Sequence, residues 1–493
     1  NGGRNEYAIM GWFYRAAYDY KGKYLAEVNG RYDGTSRFPR GKRYGFFPSF
    51  SAAYRISEEA FFEPLRKTVD NLKIRLSYGS LGNQQIGYYD FIQTITTKGS
   101  MGDYSFDGTI LGQHATVSDP VSGNQTWEKV ISKNLGADLN MFSNRLSLTA
   151  DFYIRDTKGI LGKGKSLPSI YGANEPQVNS NNLRTKGYEL VLGWRDSFKL
   201  AGSTFSYGIT GTFSDYTAEY TKCDNPSGLI GDPYVGKKYG EIWGYKVDGL
   251  FRNDEEAAEY ASRVDLSKVA AGYYSATGAY GKGVRGGDIK YLDLDGSGIV
   301  DGGKGTLEDP GDRRVIGNSS PRYQYGLTLN LSWYGFDLSV FMQGIGRLDW
   351  YPGADNLRFW GPYSRPYATF IPKNFMSQVW SESNPDAYLP RARAYTSLNS
   401  TQGTAYYTND RYLQNLAYCR LKNLTLGYTI PKRLTSKVGI KECRVYFSGE
   451  NLATWSALKN DFLDPEQAAA DSDKKSNVYP WCRTYSVGLN LTF

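Results

Sequence analysis

The last ten residues, Thr484 to Phe493, read TYSVGLNLTF, and they constrain the fold more than any other stretch. Tyr485, Val487, Leu489, Leu491 and Phe493 alternate with Ser486, Gly488, Asn490 and Thr492. Successive side chains of a β-strand point to opposite faces, so the segment has one apolar face backed by one small or polar face. It is about as long as a tilted strand needs to be to cross a bilayer. Strands of soluble sheets alternate too, so the choice between lipid and a protein core rests on whether the pattern recurs and how the loops are distributed.

The pattern recurs along the chain. Tyr7 to Tyr20 and Lys23 to Tyr32 predict a hairpin that turns at Lys21-Gly22. Five more pairs are predicted: Phe47 to Ser57 with Leu72 to Leu81, Trp127 to Met141 with Arg145 to Asp156, Lys186 to Arg195 with Thr204 to Ser214, Arg322 to Trp333 with Phe336 to Gly346, and Leu421 to Ile430 with Cys443 to Asn451. With the terminal strand this gives about thirteen strands. Between Arg145 and Asp156, Leu146, Leu148, Ala150, Phe152 and Ile154 share one face, while the other carries Arg145, Asp151 and Arg155. Charge on that face suits a watery lumen better than a packed core.

Connections within pairs are short and those between pairs are long, above all 215–321 and 347–420. Such sorting marks an outer-membrane barrel, with short turns in the periplasm and long loops outside the cell. The expected fold class is therefore all-β, a transmembrane antiparallel β-barrel. If the terminal strand ends in the periplasm, an even-stranded barrel requires an odd number of strands ahead of Asn1, so the chain is expected to be the C-terminal portion of a barrel.

Composition narrows the functions. Mean hydropathy is −0.52, and no apolar run approaches the roughly 18 residues of a spanning helix, which excludes a helical membrane protein. The net charge of +8 over 493 residues is spread without a dense Lys/Arg block, which argues against a nucleic-acid partner. One histidine, His114, argues against a histidine-dependent hydrolase or zinc site. Cys223, Cys419, Cys443 and Cys482 have no CxxC spacing, so they make no metal knuckle, and either disulfides or free thiols fit the count. Cys419 and Cys443 fall near opposite ends of one predicted strand pair and are expected not to meet. No nucleophile with its base and no pair of catalytic carboxylates can be nominated. The chain is not expected to be an enzyme.

The sharpest local signal is DLDGSGIVD, Asp293 to Asp301. Asp293, Asp295 and Ser297 stand at positions 1, 3 and 5 of an EF-hand-type loop, the Ile299 carbonyl at 7 and Asp301 at 9, a set of hard oxygens that suits Ca²⁺. Position 12 is Lys304 instead of a carboxylate, so Asp312, beyond an insertion, is the expected last ligand. An Asp/Gly-rich turn without an ion is the plainer reading. GILGKGKS, Gly159 to Ser166, fits a phosphate-loop pattern by letter, but Leu167-Pro168 follows where that loop needs a helix, so an exposed loop is expected. The second long loop carries Trp350, Tyr351, Phe359, Trp360, Tyr363, Tyr367, Phe370 and Trp380. These rings either contact substrate or a covering partner, or pack the loop into a compact cap.

The segment GDIKYLDLDGSGIVDGGKGTLEDPGDRRVIGNSSPRYQYGLTLNLSWYGFDLSVFMQGIG, Gly287 to Gly346, resembles the late barrel region of SusC/RagA-type TonB-dependent transporters of the Bacteroidetes outer membrane. So do NGRYDGTSRFP, LKIRLSYGSLGNQ, YCRLKNLTLGYTIP, VYFSGENLATWS and the terminal Phe493. The resemblance implies a plugged barrel of about 22 strands, of which this chain holds about thirteen, without the signal, TonB box, plug and early strands. It implies import of oligosaccharides or oligopeptides driven by the TonB complex, a SusD-like lipoprotein as a lid, and outer-membrane lipid around the strands. The family's acidic loop maps onto Asp293, Asp295, Ser297, Asp301 and Asp312, and supports the folded-back ligand. The alternative is a soluble secreted β-rich glycan-binding protein that uses the aromatic loop.

Overall fold

A computed structural model of the chain describes residues 4–98, 105–106, 109–110, 114–165, 167–274, 283–365, 367, 371–393, 397–398, 403–459, 463–470 and 481–493. Its long strands are β1 (Ile9–Tyr20), β2 (Tyr24–Thr35), β3 (Tyr44–Arg55), β4 (Val69–Asn83), β5 (Glu128–Met141), β6 (Leu146–Lys163), β7 (Gln177–Leu200), β8 (Ser203–Lys222), β9 (Arg322–Trp333), β10 (Phe336–Arg347), β11 (Tyr418–Thr429), β12 (Glu442–Ser456) and β13 (Thr484–Thr492). They form one antiparallel sheet of thirteen strands whose order is the chain order. By contacts the chain divides into two compact units, residues 1–190 with 216–226 and 233–237, and residues 191–215, 227–232 and 238–493.

In the first unit the register brings Tyr18, Ala26, Ala52, Leu76, Leu135 and Phe152 into one cross-strand row. The adjacent row is Ala17, Glu27, Ser51, Ser77, Asn134 and Tyr153. The large side chains of the apolar row are exposed, Leu76 at 54%. In water such a row would be an aggregation surface, whereas in a bilayer it is the lipid face. Rings bracket that face on β2. Trp12, Tyr32 and Tyr44 stack with centroids 6.0 and 5.4 Å apart, and Tyr24 stacks on Tyr54 at 5.0 Å. Two aromatic girdles flanking an apolar band are what the two water–lipid interfaces select.

The second unit repeats this logic. Leu331, Leu338, Leu426, Phe447 and Val487 make an apolar row over five strands. Asn330, Ser339, Thr425, Ser448 and Ser486 make the polar row beside it. In β13, Tyr485, Val487, Leu489 and Leu491 are all exposed, Val487 at 80%, as is Phe493 just beyond it.

Turn chemistry fixes the short ends. Tyr334-Gly335, with φ of 50° and 85°, and Ala201-Gly202, with φ of 47° and 84°, have the two positive values of a type I′ hairpin turn. The other connections at that end of the strands are 21–23, 56–68, 142–145 and 430–441, and those at the opposite end are 36–43, 84–127, 164–176, 223–321, 348–417 and 457–483, long except for the first. Pro48 sits inside β3, where it has no N–H to give. The β3–β4 ladder starts at Ser49, so Pro48 needs no donor on that side. Strands β7 and β8 run 24 and 20 residues, well beyond the spans that alternation predicts; the added long-loop end of β7, Gln177 to Thr185, is mostly polar on both faces. The main buried cluster lies in the long loops, with a small one of Phe38, Phe47 and Trp127 in the first unit.

Candidate functional site

The two long loops of the second unit fold together. Tyr245, Phe251, Leu266, Tyr273, Ile289, Tyr291 and Val300 from the first share one core with Trp350, Phe359, Trp360, Tyr363, Trp380, Tyr412 and Leu416 from the second, and Leu463 and Ala468 join it. Polar groups stitch the joint as well. Arg393 donates to both oxygens of Asp288 at 3.0 and 2.6 Å, an ion pair whose side chains are 6% and 1% exposed. The Arg393 guanidinium also lies over the Tyr273 ring at 4.1 Å. Tyr245 N donates to Thr408 O at 2.8 Å, and Asp410 N donates back to Tyr245 O at 3.1 Å.

This core answers the question of the aromatic loop. Trp350, Tyr351, Phe359, Trp360, Tyr363 and Trp380 are all buried, with Trp360 fully so. They build the cap, as the packing reading expects, and leave little ring face for substrate or a lid, although Tyr351 also lines a cleft on the cap. Tyr367 is exposed, and Phe370 lies outside the described residues. The reason is geometric: rings irregularly spaced along a loop can all turn inward when a second loop supplies the other half of the core.

The acidic segment lies on the edge of that cap. Carboxylate oxygens of Asp293, Asp295 and Asp312 all lie within 4.8 Å of one another. Asp312 has no exposed surface. Its Oδ1 accepts from Leu294 N at 2.6 Å, and its Oδ2 from Asp301 N at 2.9 Å. Asp293 accepts from Gly296 N and Gly298 N at 2.8 and 2.9 Å, and Asp295 from Ser297 N at 2.9 Å. Gly296 and Gly298, with φ of 75° and 80°, make the tight wrap that lets those N–H groups converge. The Ser297 hydroxyl donates to the Ile299 carbonyl oxygen at 3.0 Å. The segment is tied down by Asp265 N donating to Gly298 O at 2.7 Å and Val300 N donating to Asp265 O at 2.9 Å.

Burial pushes the Asp312 carboxyl up, Asp295 nearby adds to this, and the N–H groups of Leu294 and Asp301 oppose it. Asp295 is held down, chiefly by the Ser297 N–H. Three carboxylates converging on one point, one of them buried, is a donor set that fits a hard cation. Asp301 is not in the cluster: its carboxylate accepts from Gly303 N at 2.7 Å, and its carbonyl oxygen accepts from Asp312 N at 3.0 Å.

Other sequence readings fall elsewhere. Gly159 to Lys163 is the end of β6 and not a loop. Asn179 Nδ2 donates to Gly159 O at 2.6 Å and Gly159 N donates to Asn182 Oδ1 at 3.0 Å, so the backbone is engaged and cradles nothing. Ser166 lies outside the described residues. Cys419 and Cys443 are free thiols. Sequence reasoning gave no helix in the first long loop, yet α1 (Asp254–Arg263) stands there. Asn253 caps it by accepting from Glu256 N at 2.9 Å, and Glu256 accepts from Arg252 N at 2.7 Å. The run Asn253-Asp-Glu-Glu was the available signal.

A sheet with exposed apolar rows, aromatic girdles and polar rows on the reverse face defines an outer-membrane β-barrel protein. The chain belongs to the TonB dependent receptor-like β-barrel family, whose model matches residues 1–452. It is 27% identical to TonB-dependent receptor P3 of Formosa agariphila over 99% of its own length and 46% of that protein. It is 23% identical to TonB-dependent receptor SusC of Bacteroides thetaiotaomicron over 98% of its length and 44% of that protein. Among solved structures it is similar in fold to the RagAB peptide transporter, with a TM-score of 0.71 and 21% identity over 99% of the chain and 48% of that structure's chain. The chain thus spans about half the length of the relatives it matches. Its place is the outer membrane, and the exposed apolar rows weigh against the soluble alternative.

Proposed function

We propose that the chain supplies wall strands and extracellular loops of a TonB-dependent importer that carries nutrient oligomers, oligosaccharides or oligopeptides, across the outer membrane. The observation that supports this reading best is the single core shared by the two long loops. A loop layer with a buried ion pair and fully buried rings is preorganised, which is what docking a ligand or a covering protein requires. A SusD-like surface lipoprotein is the proposed cover, and the TonB complex, acting through the plug of the whole transporter, the proposed source of energy. Both follow from membership of the family and from relatives named SusC and RagAB.

The acidic segment is proposed to bind Ca²⁺ as a structural ion. Asp293, Asp295 and Asp312 would hold it, with the Ser297 hydroxyl and the Ile299 carbonyl oxygen beside them. The ion would neutralise the converging carboxylates and fix the edge of the cap.

The importer reading is tested by uptake. Cells carrying the complete transporter should take up labelled oligomers in a saturable way that a protonophore abolishes, and deletion of the gene should remove it. Uptake of every oligomer class unchanged by the deletion would refute the reading.

A further inference from the structure

A cleft of about 550 Å³ opens on the cap between the short strand Glu241–Tyr245, the acidic segment and the second long loop. Trp243, Tyr245, Tyr351, Tyr406, Tyr407 and Arg313 line it. The rings are preset. Trp243 Nε1 donates to Glu241 Oε1 at 2.7 Å, the Tyr351 hydroxyl donates to Tyr407 O at 3.1 Å, and the Tyr407 hydroxyl donates to Lys268 O at 2.8 Å. Tyr406 is 39% exposed and Trp243 is half-buried, so these two keep accessible surface after the cap has packed.

Arg313 is the unusual member. Among the described residues its guanidinium has one hydrogen-bond acceptor, the Gly302 carbonyl oxygen at 2.6 Å, and no carboxylate at ion-pair distance. Its Nε is buried without an acceptor. A partly buried guanidinium that its own fold leaves this poorly matched is a site for an anion from outside. The acidic segment sets its position. A side chain at Gly302 would come within 2.9 Å of the guanidinium, so Gly302 both accepts from Arg313 and leaves it room.

The backbone around the cleft disfavours an extended peptide. Strand Glu241–Tyr245 is paired along one edge with Arg313–Asn318, and its Tyr245 end is bridged on the other side to Asn409. With one edge paired and the Tyr245 end of the other bridged, a peptide finds little ladder to extend. Ring faces beside one cation suit a sugar ring that bears an anionic group.

We propose that this cleft binds an anionic sugar residue of an oligosaccharide, with its carboxylate or sulfate on Arg313 and its ring against Trp243 and Tyr406. The proposal rests on the importer reading and narrows its cargo. Calorimetry on the complete transporter, purified in mild detergent from its native membrane, tests it with four probes: tetragalacturonate, a sulfated galactose tetrasaccharide, maltotetraose and tetraalanine. One anionic sugar should bind at least tenfold tighter than maltotetraose, and which one does so distinguishes carboxylate from sulfate. R313Q should abolish that preference, R313K should keep part of it, and W243A should weaken binding at least fivefold at an unchanged melting temperature. If R313Q lowers the melting temperature, R313K and W243A carry the test.

The proposal falls if neither anionic sugar outbinds maltotetraose, if R313Q keeps the preference, or if tetraalanine binds tightest. Chain-dependent uptake of some other oligomer, with no anionic preference at the cleft, rejects the site and leaves import standing. Loss of all chain-dependent uptake rejects import itself.

Discussion

Single glycines decide whether charge can be carried on the polar face of the sheet. Arg444 of β12 donates to Asp337 of β10 at 2.9 Å across the intervening strand β11, and the residue beneath the pair is Gly427, whose added Cβ would lie 2.5 Å from both partners. Arg75 of β4 reaches Asp151 of β6 at 2.9 Å over Gly136 of β5 in the same way. Gly427→Ala is expected to push the pair apart and lower stability by about 1–3 kcal/mol, the range for overpacking a filled site. The loss would appear as a lower temperature at which the folded, fast-migrating gel form disappears. Gly427→Ala combined with Asp337→Asn, which removes the charge but keeps the bulk, should recover only part of it. The Ca²⁺ site is also a residue-scale matter. Terbium luminescence on the complete transporter should titrate a single site, and Asp312→Asn should weaken it at least tenfold. Equal titration of both forms would remove Asp312 from the ligand set. The spacing of Asp293, Asp295 and Ser297 was legible in the sequence. That Asp301 turns its carboxylate to Gly303 was not, because only the fold-back of Asp312 onto Leu294 and Asp301 fills that place.

At the scale of elements, legibility followed period. The strands whose two faces differ chemically, such as β9, β10 and β13, read within a residue or two of their ends. The polar run Gln177 to Thr185 of β7 did not, since alternation disappears when both faces are wet. Helix α1 was missed because its apolar positions are few and its cap is the stronger signal. That cap carries a pH dependence. Burial works against the Glu256 carboxylate, but the Arg252 N–H and the Lys290 ammonium outweigh it and hold its pKa below the ordinary 4.5. A carboxyl depressed in the folded state adds stability above its unfolded value and loses it as pH falls through the folded one. Amide exchange at 252–257 should therefore accelerate, beyond its intrinsic pH dependence, as pH drops below about 4.5. Glu256→Gln should be less protected at neutral pH and lack that transition. A transition of the same size in the variant would assign it to another group.

At the scale of the whole molecule, the sequence could place the long loops but not join them, since Asp288 and Arg393 are far apart in the chain and neither is unusual where it stands. Their ion pair is a joint between loops, and removing one member leaves a buried charge without its partner, at a cost of about 3–5 kcal/mol. Arg393→Met should accordingly raise exchange in both 283–292 and 387–393 together, not in one loop alone. The face assignment of the strands can be tested with equal economy. Leu327 and Thr328 are neighbours in mid-β9, and Leu327 lies opposite Met342 whereas Thr328 lies opposite Phe341 on the reverse face. If the Leu327 face meets lipid, Leu327→Arg must put a charge near the bilayer midplane, at about 2–4 kcal/mol, while Thr328→Arg puts it on the watery side at little cost. Membrane-inserted yield and gel-melting temperature should fall for the first and hold for the second. A soluble sheet would punish both or neither, because its two faces would meet a core or water and never hydrocarbon. The reversed result would mean that every row in the second unit has been assigned to the wrong face.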